Sequence, residues 1–221
     1  MKIFVSTATV RDVQWATDGG LADGVMTSPA TLRDAAGDGE EHELLAEICR
    51  ATAGPVCATV GAVNAADIYR DARELAKISD QILVQIPLIE DAVSAMRRLR
   101  ADGVRVVVTL VFTAAQAVLA AKAGAFMVTV ALDQLDAFGH DGTDVVRSVG
   151  TLFAAHGMEC DVLAAQPQHA AQFARCAEAG ADVVAVAPDV LRALLLHPLT
   201  DRGLDQFLRD LSVHRQPRPT V

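Results

Sequence analysis

The sequence predicts a single (β/α)8 TIM barrel followed by an extra C-terminal helix. Three observations carry that prediction. Strand-like and helix-like stretches alternate along almost the whole of the 221 residues, with eight strand signals in all. At 52% hydrophobic residues, a chain of this length can bury one full core. The turn after the first strand, Ser6-Thr7-Ala8-Thr9, contains no glycine. An open doubly wound sheet would place a Gly-rich phosphate loop there, so the strands are expected to close into a barrel instead.

Taken in order, Lys2–Ser6 reads as the first strand and Val10–Thr17 as the helix after it. Gly24–Met26 is a short second strand. Pro29 opens a helical segment that breaks at Gly37-Asp38-Gly39 and resumes over Glu40–Ala51, with acidic residues in the first turn where the helix dipole favours them. Pro55–Val60 is the third strand and Ala65–Ile78 its helix. The fourth strand, Ile82–Ile86, ends at Pro87, and helical spacing returns over Glu90–Ala101. Val104–Leu110 and Thr113–Ala123 form the next pair, stopped by Gly124. Phe126–Val130 is the sixth strand, followed by a loop over Asp133–Gly142 and a helix over Thr143–His156. Cys160–Ala164 pairs with Gln168–Ala179, and Val183–Val186 is the eighth strand. Pro188–Leu196 and Thr200–Val213 are the final helices, and residues 215–221 read as a polar, flexible tail. The domain proper is therefore 1–214.

Composition excludes several classes of function. A net charge of −9 and a pI near 5.0 argue against a nucleic-acid partner. The cluster Arg97, Arg98, Arg100 falls on a helix exterior and reads as a solvated face. The apolar run Val106–Ala121 is interrupted by Thr109, Thr113 and Gln116, so no membrane span is expected. The N-terminus is too short and too strand-like for a signal peptide. Cys49, Cys57, Cys160 and Cys176 lack metal-ligand spacing, so reduced thiols in a cytoplasmic protein, with no metal and no cofactor, are the expectation. His42 and Cys49 are too loosely arranged for zinc.

The fourth strand organises the rest. Its carboxyl end carries one polar residue, Gln85, in an otherwise apolar run, at the end of a barrel strand where such folds place their chemistry. Around it the motifs are specific. Met1–Ala8, Asp23-Gly24-Val25-Met26-Thr27-Ser28-Pro29, Val107–Ala123, Gly139-His140-Asp141-Gly142, Gly180-Ala181-Asp182 and His197–Gly203 occur in an order that resembles the transaldolase family, in particular its short branch of fructose-6-phosphate aldolases. The resemblance runs nearly end to end.

That resemblance implies carbon–carbon bond making and breaking through a Schiff base on a strand-four lysine. It also implies carboxylate and amide groups for proton handling, and an arginine and a serine for phosphate. Position by position, the lysine falls on Gln85, whose amide nitrogen is not nucleophilic. The strand-one aspartate falls on Ser6, the asparagine before Pro29 on Ser28, and the strand-three acid or amide on Thr59. The arginine after strand six falls on Gln134, the serine after strand seven on Gln166, and the basic residue beyond it on Gln168. Thr109 matches the family, and Thr129 is close to its usual serine. Lys2, Lys77 and Lys122, the chain's three lysines, are all expected at the opposite end of the barrel.

The implied pocket is polar and neutral. A sugar phosphate carries about two negative charges at neutral pH, and desolvating it against amides alone is costly. A neutral small molecule fits better, since amides and hydroxyls both donate and accept. The same residues also suit a site that has lost its chemistry. Gln85→Ala and Gln134→Ala are expected to lose the ligand with little change in stability if the pocket works. Asp133 is a candidate acid or base at the mouth, weighed against a carboxylate capping its loop and facing water. Cys57, on the strand face of Thr59, reads as an inert core thiol because no base or positive neighbour accompanies it. His140 reads as structural, His169 as a helix-start surface residue and Trp15 as packing. Two classes of function stand: a repurposed non-covalent enzyme, its composition suited to specialised metabolism, and a catalytically inactive homologue serving as a ligand-binding or structural subunit. By resemblance the terminal helix, Leu204–Val213, packs on neighbouring subunits, which implies a homo-oligomer (pentamer or decamer).

Overall fold

Eight parallel strands close on themselves in the order of the chain, each bonded to the next and β8 bonded to β1. The structure, a computed structural model, describes residues 1–37 and 39–214, with side chains up to Leu211. The strands are β1 (Lys2–Ser6), β2 (Gly24–Met26), β3 (Val56–Thr59), β4 (Ile82–Pro87), β5 (Val106–Val111), β6 (Met127–Ala131), β7 (Asp161–Ala165) and β8 (Val183–Val186). The helices between them are α1 (Val10–Asp18), α2 (Pro29–Ala36), α3 (Glu41–Ala51), α4 (Ala65–Ala76), α5 (Glu90–Ala101) and α6 (Ala114–Ala123). They continue with α7 (Leu132–Ala137), α8 (Gly142–His156), α9 (Ala170–Glu178), α10 (Pro188–Ala193) and α11 (Pro198–His214). The predicted flexible tail lies outside the described residues.

Two apolar cores follow from the alternation of side chains along each strand. Inside the barrel, Phe4, Cys57, Leu83, Val107, Met127 and Leu163 pack together with Val183 and Ala185. Outside it, Val5, Ala58, Val84, Ile86, Val108, Val128 and Val184 meet the Ala-, Val- and Leu-lined helices in a continuous second core. Gly24 shows how tight the interior is: a Cβ there would sit 2.7 Å from the Phe4 ring and 2.8 Å from the Pro55 carbonyl oxygen, so glycine is what admits Phe4.

The helices are started by local chemistry. Ser28 with Thr31, and Thr113 with Gln116, form reciprocal capping boxes, Asn64 and Asp141 cap α4 and α8, and Gly124 and Gly157 end α6 and α8 in the left-handed conformation. One predicted loop is a helix. Residues 132–137 form α7, which the turn-rich stretch Gly139-His140-Asp141-Gly142 directly behind it obscured. Leu132 and Leu135, both buried, supply the apolar contact that so short a helix requires. None of the described helices is long and apolar enough to cross a membrane.

Candidate functional site at the barrel mouth

Parallel topology puts the carboxyl ends of all eight strands, and the starts of the helices that follow them, at one end of the barrel. One step along the inward face from Cys57, Leu83, Val107 and Met127 stand Thr59, Gln85, Thr109 and Thr129, and from Phe4, Ser6. The barrel interior therefore turns polar toward this end on β1 and β3–β6, while Ala165 and Ala185 keep it apolar on β7 and β8. Lys2 lies at the other end, at the start of β1, Lys77 caps the end of α4, and Lys122 is in the last turn of α6.

Gln85 is 1% exposed and fully engaged on its nitrogen side. Its Nε2 donates to the Thr27 carbonyl oxygen at 2.8 Å and to Thr59 Oγ1 at 3.2 Å. Because a backbone carbonyl can only accept, the amide's orientation is fixed. Thr27 is itself locked, its hydroxyl donating to the Cys57 carbonyl oxygen at 2.7 Å. The Gln85 Oε1 is left with no donor among the described residues.

The same polarity recurs across the mouth. Gln166, in the left-handed conformation at φ 63°, donates its Nε2 to Ser6 Oγ at 3.0 Å, spanning 160 residues of chain. Gln168 turns its Nε2 back to the Gln166 carbonyl oxygen at 2.9 Å. Ser28 is occupied as the cap of α2, its Oγ accepting from Thr31 N at 3.2 Å. Thr109 is half-buried and Gln134 exposed.

The β5–β6 side differs. Thr129, 4% exposed, has a hydroxyl with no partner, and the buried Oδ1 of Asp133, in the first turn of α7, has none either. Of the three such atoms among the described residues, two are here; the third is Thr17 Oγ1, on α1. The adjoining end of β5 is irregular. Its register shifts between Val108 and Val111, and Leu110 adopts φ 59°, a region costly for a branched side chain, while remaining 45% exposed.

The scaffold behind this side is tightly tied, through Asp141 of the Gly139–Gly142 motif and through Asp136, Thr143, Gln172 and Arg175, which the sequence reading did not single out. Asp136 accepts from Gln172 Nε2 at 2.6 Å and from Gly142 N at 3.2 Å. Asp141 accepts from the Thr143 hydroxyl at 2.6 Å and from Thr143 N at 2.9 Å, and it pairs with Arg175, which also donates to Thr143 Oγ1 at 2.8 Å. Hydrogen bonds from Thr143, then from Arg175, hold the Asp141 carboxyl down at about 2. His169 caps α9, its Nδ1 accepting from Gln172 N, and His140 is exposed. Burial pushes the Cys57 thiol up to about 12 despite the opposing charge of Arg105, as an inert core thiol requires. Trp15 packs under the Arg192 guanidinium, 4.0 Å from its ring centroid.

A cavity of about 1170 Å³ opens at the opposite end, between the amino ends of β5–β7 and the ends of α5, α6 and α8. Its charged lining includes Arg100, Arg105, Asp161 and Asp182. In barrels of this kind catalytic groups gather at the carboxyl ends of the strands, so size alone does not make this cavity the reacting site. No group of His, Cys, Asp or Glu suited to a metal ion occurs among the described residues.

A closed eight-stranded parallel barrel with polar side chains at the carboxyl ends of its strands is a (β/α)8 TIM barrel. The profile of the family described as "Transaldolase/Fructose-6-phosphate aldolase" matches residues 15–216, and the chain belongs to that family. It is 37% identical over 211 residues to "Probable transaldolase 1" of Bacillus cereus, covering 95% of this chain and 97% of that one. It is 38% identical to "Probable transaldolase" of Methanococcus maripaludis, covering 97% and 99%. With "Probable transaldolase" of Rhizobium meliloti the identity is 42%, covering 95% and 96%.

Proposed function

We propose that this protein has left Schiff-base aldol chemistry and acts non-covalently on a neutral small molecule at the barrel mouth. The observation that carries the proposal is Gln85. By resemblance it occupies the position of the family's imine-forming lysine, and its nitrogen is a buried amide donating two hydrogen bonds to protein oxygens. An amide nitrogen has no free lone pair with which to attack a carbonyl. The three lysines of the chain belong to the far end of the barrel or to helix ends behind it.

The phosphate-holding positions point the same way. Gln134, Gln166 and Gln168 carry no charge, and two of the three have their amide nitrogens turned back onto the protein. The reactions open to such a site are those driven by orientation and hydrogen-bond polarisation: isomerisation, cyclisation, dehydration or carbon–carbon bond formation without a covalent intermediate. The transaldolase activity in the relatives' names would require an amine where this chain has an amide.

A second reading, a catalytically inactive subunit, is supported by α11. Leu204, Phe207, Leu208 and Leu211 share one face of that helix at helical spacing and are each about half exposed, an apolar stripe of the kind that assembly covers. A homo-oligomer, pentameric or decameric by resemblance, suits both readings.

Borohydride trapping tests the first proposal directly. Incubation with fructose 6-phosphate or dihydroxyacetone and sodium borohydride should add no mass to the intact protein, and Gln85→Lys alone should not restore cleavage, because Ser6, Thr59 and Gln134 still lack the proton and phosphate groups. A reduced adduct on the unaltered chain would overturn the reading. Native mass spectrometry after incubation with host extract separates the two readings: a retained small molecule favours the enzyme, and an assembled ring with nothing bound favours the subunit.

A further inference from the structure

We infer that the part of the mouth formed by Gln85, Thr129 and Asp133 offers mainly hydrogen-bond acceptors, and that its ligand is an unphosphorylated polyol bound through hydroxyl groups to these three residues. The inference rests on the reading that imine chemistry has been lost, and it goes further by stating what the site recognises.

Three observations converge. Gln85 spends both amide hydrogens on Thr27 O and Thr59 Oγ1, so the group it has left to offer is the Oε1 acceptor. Gln168 is turned the same way, one hydrogen of its Nε2 held by the Gln166 carbonyl oxygen. Asp133 adds a carboxylate oxygen that is buried and accepts nothing, and Thr129 a buried hydroxyl with no partner. A buried polar atom without a partner is costly enough that such atoms are few in folded proteins. Two of them within five residues, on the corner joining β6 to α7, mark a place where a partner from outside the chain belongs.

The donor–acceptor balance then selects that partner. Carbonyl and phosphate oxygens only accept, and facing Gln85 Oε1 and the Asp133 carboxylate they would meet acceptors. A phosphate would in addition meet the one carboxylate among the candidate site residues. A hydroxyl group reverses the match, because it donates to Oε1 or Oδ1 and can still accept from the Thr129 hydroxyl. Adjacent hydroxyls on one carbon chain satisfy several of these atoms at once.

Ligand-observed NMR on the full chain tests this with glycerol, erythritol and mannitol against glycerol 3-phosphate and erythritol 4-phosphate. At least one polyol is expected to bind, its phosphate ester at least tenfold more weakly. Asp133→Asn and Thr129→Val, both close to isosteric, are each expected to weaken the polyol at least fivefold without lowering the thermal midpoint. Two variants at different positions keep the test meaningful if one fails to fold. Tighter binding of the phosphate esters, binding of no polyol, or polyol binding unchanged in both variants would overturn the acceptor array while leaving the loss of imine chemistry intact. Cleavage of fructose 6-phosphate by the unaltered protein would overturn both.

Discussion

The two sides of the barrel mouth are built on opposite terms. On the β2–β4 side the side chains are bonded within the protein: Thr27 to Cys57 O, Gln85 through its nitrogen to Thr27 O and Thr59, and Ser28 to the start of α2. On the β5–β6 side Thr129 and Asp133 hold buried oxygens with no partner, and Leu110 sits in a conformation that its side chain disfavours. Proteins tolerate such local violations where function requires them and satisfy their polar groups elsewhere. The knitted side therefore holds itself in place and leaves only the Gln85 Oε1 unused, whereas the open side carries the buried atoms that the chain itself does not satisfy.

The largest expected effect falls on the knitted side. Gln85→Met keeps roughly the same volume but takes the donor from Thr27 O and Thr59 Oγ1, and should cost about 1–3 kcal/mol. Gln85→Ala adds a cavity at a site that is 1% exposed and should cost about 2–5 kcal/mol, comparable with other large-to-small core changes. Urea unfolding of the two variants checks both values. The sequence alone had suggested little change in stability on removing this side chain, because nothing local reveals that its amide is bonded 58 residues away. A cost below about 0.5 kcal/mol for either variant would erase the distinction between the two sides.

The next effect asks whether the open side is open merely because its surroundings are loose. Asp141 is the local probe. Its carboxyl lies well below the ordinary value of about 3.9, held near 2 by Thr143 and Arg175. The folded state therefore binds a proton less readily than the unfolded chain. The stabilisation is fully present above about pH 4 and disappears as pH falls through about 2. Thermal midpoints followed from pH 5 to pH 2 should fall more steeply for the unaltered protein than for Asp141→Asn. Equal slopes would mean that the clamp between α8 and α9 contributes nothing, and the unpartnered atoms beside it would then reflect a slack corner.

Much of this fold was legible in the sequence. The bounds of β1, β2, β8 and α5 coincide with those predicted, because short continuous apolar runs and helical spacing are local signals punctuated by Gly and Pro. α7 was not, because six residues hold barely more than one helical turn, and the glycines behind it speak for a turn. The candidate residues Ser6, Thr59, Gln85, Thr109 and Thr129 were placed at the mouth by the resemblance to the family, and alternation along each strand sets them on one face with the interior residues two positions before them. What alternation cannot supply is the direction of an amide or the partner of a hydroxyl. Gln166 meets Ser6 across 160 residues, and the Asp136–Gln172 bond joins α7 to α9. The left-handed Leu110 has no sequence signal either, since leucine is among the last residues one would assign there.

The smallest effect bears most directly on the comparison. Thr129→Val exchanges a hydroxyl for a methyl at nearly constant volume, at a position 4% exposed. Where a buried hydroxyl has a partner, this change removes a hydrogen bond and costs about 1 kcal/mol. Where it has none, the hydroxyl's desolvation is uncompensated, and its removal should leave stability unchanged or raise it by up to about 1 kcal/mol. The sign of the change in the urea midpoint therefore reports whether Thr129 is satisfied within the folded chain. A gain, with a loss on Gln85→Met at the same level of the barrel, would establish that the two sides obey different rules. A loss in both would show Thr129 to be as structural as Gln85, and the ligand-facing side would shrink to Asp133 and the rim.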